Sequence, residues 1–133
     1  MTQQLPPALV TDVNRAVLAH VEKLSAHSDI VDVLESAVKP LGDVQLFCPD
    51  WQKYRYVAAS TKGVIFGLAV GMDTVAFRLD EKMKSRALLT GSIAYPECGD
   101  EWVAVVHHQP DSDWPAVDVG FWALKAYVHA RQQ

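Results

Sequence analysis

The chain has 133 residues, half of them hydrophobic and 21% charged, with a formal net charge of −4. One domain of that length buries a real core without disulfide staples, and this composition excludes wholesale disorder. Cys48 and Cys98 are the only cysteines and form neither a disulfide framework nor a metal signature, and no run approaches the roughly 20 apolar residues of a membrane span.

Residues 1–7 are expected to be a frayed lead-in closed by Pro6-Pro7. The stretch has no basic n-region or long apolar run, so a secretory leader is not expected and a cytoplasmic setting follows. From about Ala8 to Ser25 the spacing is helical: Val13, Ala16, Val17, His20, Val21 and Leu24 recur at three- and four-residue steps, with Thr11 or Pro7 as the start. Ser28-Asp29 offers a second N-cap, followed by the apolar stripe Ile30, Val31, Leu34, Ala37 and Val38, and Lys39-Pro40 stops it. Val44–Cys48 is a strand or a loop lying on the core, and Tyr54–Ser60 is rich in β-formers.

Gly63 to Leu79 follows as a hairpin. Val64, Phe66, Leu68 and Val70 alternate on one face, as do Val75, Phe77 and Leu79, with Gly71-Met72-Asp73 between the two runs. Gly67 marks a bulge or a close packing point. Asp80 caps a helix over Glu81–Leu89, and Gly91 stands where a left-handed cap would end it. Ile93–Tyr95 and Trp102–His108 are the last strands, Gln109–Trp114 is a polar loop, and Pro115 opens a helix that runs to about Ala130. The expected fold is α+β: a single antiparallel sheet of about five strands with helices on one face, in the order α(α)-β-β-β-α-β-β-α. Phe121, Trp122, Leu124, Tyr127 and Val128 make the last helix apolar nearly all round. A helix of that kind is buried on more than one side, which points to a homodimer with Phe121, Trp122 and Tyr127 at the interface.

Candidates for chemistry are few. His107 and His108 are adjacent in a strand and point to opposite faces, so they cannot share an ion, and no metal or other cofactor is expected. No nucleophile elbow, activated cysteine or phosphate loop is present, so no catalytic residue is assigned. The acidic groups Glu97, Asp100, Glu101, Asp111, Asp113 and Asp118 lie in loops or at a helix start, where solvation or capping is the default. Residues 51–90 carry seven basic side chains against three acidic ones, while both flanks are acidic. Within that segment Trp51, Tyr54, Arg55 and Arg78 are the candidate ligand-binding residues, suited to an anionic small molecule or to the pocket of an enzyme acting on a small molecule. The same basic and aromatic mixture is a weaker fit to single-stranded nucleic acid.

The run Gly63-Val64-Ile65-Phe66-Gly67, then Val75-Ala76-Phe77-Arg78-Leu79, and later Trp102-Val103 with Trp122 and Tyr127, resembles the YjbR, YdhG and TfoX N-terminal families of small bacterial proteins. The resemblance spans residues 50–130, with Arg78 standing where those families carry lysine. It implies an α-β(3)-α-β(2)-α layout, shared with secretion chaperones, and a binding or regulatory module. It carries no catalytic residues over and leaves the ligand or protein partner open.

Overall fold

The computed structural model describes residues 5–22, 24–50, 55–106 and 116–132. The polar loop 109–114, Pro115, His107, His108, Asp111 and Asp113 lie outside the described residues, as do Trp51, Tyr54 and residues 1–4, and nothing is described of the Asp118 side chain.

The class expected from sequence is the class observed: α+β, with one open antiparallel sheet of six strands in the order β1-β2-β3-β4-β6-β5. The strands are β1 (Gln45–Phe47), β2 (Val57–Thr61), β3 (Val64–Val70), β4 (Thr74–Arg78), β5 (Ile93–Ala94) and β6 (Trp102–Val106). The helices are α1 (Arg15–Val21), α2 (Ser28–Val38), α3 (Glu81–Leu89) and α4 (Ala116–Arg131). β2, β3 and β4 form an antiparallel meander that contains the expected hairpin. Val44–Cys48, open between strand and loop, contributes the edge strand β1.

Local chemistry explains most boundaries. Asp80 accepts a hydrogen bond from Met83 N at 2.8 Å and starts α3 where expected. At α2 the cap lies one residue earlier than expected, because His27 Nδ1 accepts from Asp29 N at 3.1 Å. Thr61 pairs directly with Val64, so Lys62-Gly63 is a two-residue loop, and both residues have positive φ as a type I′ turn requires. The first helix is shorter than the spacing suggests. Two 3₁₀ turns, Pro7–Leu9 and Asp12–Asn14, replace its first half. Asn14 is the reason: fully buried, it donates to Leu9 O and Gly63 O at 2.9 and 2.8 Å and accepts from Ile65 N at 2.9 Å. Those bonds tie this segment to the β2–β3 turn instead of to a helical ladder, and the lead-in is packed from Leu5 onward.

The expectation of helices on one face is corrected in part. α2 and α4 cover one face, where Ile30, Leu34, Trp122 and Ala126 meet Val57, Phe66, Val75 and Phe77. α1 and the 3₁₀ turns cover the other, where Leu9, Val17 and Val21 meet Ala58, Ile65, Leu68 and Ala76. The physical cause is that all seven residues of β3 are buried, so both faces must be roofed. The alternation along β3 is corrected too. Ala59 pairs with Gly67 but Ser60 with Ile65, which makes Phe66 the extra residue of a bulge. Val64 and Phe66 therefore share a face with Ala69, while Leu68 and Val70 turn to the opposite side. Gly67 is the neighbour of this bulge; a methyl there would come within 3.3 Å of Leu34 Cδ1.

Candidate functional site

α2 and α4 run in the same direction along one face of the sheet. Both begin at the end carrying the β3–β4 turn, where His27 N donates to Gly71 O, and both finish near the β2–β3 turn, where Arg131 reaches Thr61. The two helices diverge enough to leave a groove of about 730 Å³. Val33, Ala37 and Leu41 form one wall, Val119, Gly120 and Leu124 the other, and Asp32 and Ser36 stand on the α2 side. Two small residues, Ala37 and Gly120, keep it open, since neither carries a side chain that reaches across.

Beside the groove, α4 turns a row of apolar side chains to solvent. Phe121, Leu124 and Val128 are 39%, 43% and 44% exposed. Their i, i+3, i+7 spacing makes them one ridge. Lys125 lies over the Phe121 ring, its Nζ 5.3 Å from the centroid. Of the three interface residues expected from sequence, only Phe121 belongs to this ridge. Trp122 is 6% exposed and packed in the core, with its ring edge-on to Phe121. Tyr127 is half-buried, its ring against Phe66 and its hydroxyl donating to Gly42 O. Leu124 and Val128 were legible as apolar, but only a helical wheel fixed by the position of Trp122 shows that they face outward.

Of the expected ligand residues, Arg55 and Arg78 are described, and they lie at opposite ends of the sheet. Val57 pairs with Ala69, and Ala69 with Val75, so Arg55 lies beyond the sheet end that carries the β3–β4 turn, whereas Arg78 closes β4 at the other end. Arg55 Nε donates to Leu24 O at 3.1 Å and Nη2 to Glu22 O, fastening the α1–α2 connection. Arg55 also lines a recess of about 330 Å³ with Ser28, Asp32, Glu35 and Cys48. That recess lacks a reactive thiolate: burial pushes the Cys48 thiol up, and its Sγ donates to Arg55 O at 3.4 Å. Cys98 is pushed up to about 12, by burial first and by nearby Glu97 second.

Arg78 is engaged with Glu101, Nη2 to Oε1 at 2.6 Å and Nε to Oε1 at 2.8 Å, while Nη1 is buried without a partner among the described residues. The second carboxylate oxygen of Glu101 meets His129 Nε2 at 2.8 Å. Burial alone would raise the Glu101 carboxyl. The hydrogen bonds and charges of Arg78 and His129 outweigh it and hold the group below its ordinary value. Glu101 is thus no solvated loop acid but the link that fastens α4 to the ends of β4 and β6. Of the basic segment, Lys62, Lys82 and Arg86 are exposed, and Lys84 donates to Asp100 O. Among the described residues no group of three His, Cys, Asp or Glu is placed to hold a metal ion, and no helix is long and apolar enough to cross a membrane.

Comparison with protein-family models, with curated proteins and with solved structures finds no match for this chain.

Proposed function

We propose that this protein is a non-enzymatic binding or regulatory module of the cytoplasm, whose α2–α4 groove and adjoining α4 ridge dock an apolar protein surface. One observation carries the reading: Phe121, Leu124 and Val128 stand exposed in a row beside an apolar groove of about 730 Å³. Contiguous exposed apolar surface beside a groove marks an interaction site. Among the described residues that line the groove, Asp32 is the one charged side chain. Two buried free thiols, Cys48 and Cys98, suit a reducing compartment. The resemblance to the YjbR, YdhG and TfoX N-terminal families points the same way, toward binding or regulation.

The uncharged dye Nile red, whose emission rises and shifts to the blue in apolar surroundings, tests the groove. The wild-type chain should enhance its fluorescence saturably, and Leu124→Asp should remove most of that enhancement while leaving the far-ultraviolet circular dichroism unchanged. Dye binding that Leu124→Asp leaves intact would end this reading.

A further inference from the structure

We infer that the occupant of the α2–α4 groove is the α4 ridge of a second copy of this chain, the two α4 helices lying side by side in the same direction about a two-fold axis. This rests on the docking reading above and goes further in naming the partner and its orientation.

Self-complementarity on one surface is the first argument. The groove and the ridge are adjacent, and Leu124 belongs to both. A two-fold interface uses the same patch twice, so a patch holding both a ridge and a hollow of like chemistry satisfies itself. For each ridge to enter the other copy's hollow, the axis must run along the groove between the two α4 helices. That choice orders the four helices across the interface as α2, the partner's α4, α4, the partner's α2. The α4 flank turned away from its own groove then faces the partner's α2.

Charge supplies the second argument. At about 100° per residue, Gly120 and Tyr127 lie on the groove side of Leu124, and Lys125 lies on the opposite flank. That flank is the one which meets the partner's α2. Lys125 is folded back over Phe121, toward the N-terminal half of α4. Asp32 is exposed on the groove wall, where it stands with Val119 and Gly120, also in the N-terminal half. Since α2 and α4 run the same way, a parallel pair brings Lys125 of each copy to the level of Asp32 of the other. The opposite signs meet across the interface, and both pairs form at once.

The test is the solution mass by light scattering after size separation, from about 1 μM to about 1 mM protein. The wild type should shift from monomer to dimer within that range. Leu124→Asp should weaken the dimer about 30-fold or more, as removal of a central apolar anchor does. Asp32→Lys and Lys125→Asp should each weaken it about 5–10-fold, and the double reversal should return it to within about 3-fold of wild type. Both positions are outside the core, and thermal melts of each variant confirm an intact fold before the masses are compared. A monomer at every concentration overturns the inference; if Nile red still binds and depends on Leu124, the docking reading survives and only its occupant is wrong. A dimer indifferent to Leu124→Asp overturns the inference by placing the interface elsewhere. A dimer that needs Leu124 but is not restored by the double reversal overturns the parallel arrangement.

Discussion

Asn14 and Glu101 each tie distant segments of this fold together, and neither stood out in the sequence. Asn14 sits within an amphipathic pattern, where an asparagine reads as one more surface residue. Its burial follows from a contact made with Gly63 and Ile65, far along the chain. Glu101 lies in a run of acidic residues whose ordinary fate is solvation. What sets it apart is that Arg78 and His129, from two other elements, converge on its two oxygens. A sequence shows the charge but not the convergence. Since Glu101 titrates lower in the folded chain than in the unfolded one, its contribution to stability is present above its unfolded value near 4.5 and is lost as pH falls through the folded value. The wild type should therefore lose stability more steeply on acidification below about pH 4.5 than Glu101→Gln, followed by urea unfolding at a series of pH values. Parallel pH profiles for the two would remove Glu101 from this role. With side-chain exposure of 40%, solvent screening keeps the effect small.

α4 shows what a helix apolar on all sides divides into once it is packed. Trp122, Ala123, Ala126 and Ala130 are its core stripe, and the three alanines bring the helix axis close to the sheet. Phe121, Leu124 and Val128 are the stripe left over. Trp122→Ala should cost about 3–5 kcal/mol, lowering Tm at every protein concentration, because the indole is packed among buried residues and its removal leaves a cavity. A variant melting within about 2 °C of wild type would place Trp122 outside the core, given how little stability a chain of this size has to lose. Helical spacing made α2 legible, the Asp80 cap and Gly91 made α3 legible, and Pro115 with the apolar run after it made α4 legible, each within a residue or two at its ends. Strand order up to β4 followed from short connections. The half-turn that bulge residue Phe66 puts into β3 was not legible, although Gly67 flagged its position. A bulge changes which face a side chain takes without changing composition or spacing. The candidate site was legible as an apolar helix and no further, because the division between core and ridge is decided by what α4 packs against.

Seen together, the elements form a sheet roofed on both faces, with α1 and the 3₁₀ turns on one side and α2 and α4 on the other. This explains how a chain of 133 residues with half its composition hydrophobic uses so much apolar surface. On α4 it leaves Phe121, Leu124 and Val128 exposed, because the inner stripe of that helix packs on the sheet. The connection between α1 and α2 has to pass from one roof to the other, and it does so across the end of the sheet. Ser25 bridges Arg55 there, Ala26 bridges Gly71, Gly71 N donates to Ser25 O at 2.6 Å, and His27 N donates to Gly71 O at 2.8 Å. Every anchor of that strap lies well over twenty residues further along the chain, within or beside hairpins that close locally. The strap therefore sets an order of assembly. Hairpins form in microseconds from neighbouring residues, whereas a crossing tied to a turn must wait for that turn to exist. Pulsed hydrogen exchange during refolding should find the paired amides of β3 and β4 protected before those of Gly71 and His27, and the reverse order would contradict it. The N-terminal third of the chain, synthesised first, is then the last to find its place, held back until the turn at Gly71 gives it something to cross.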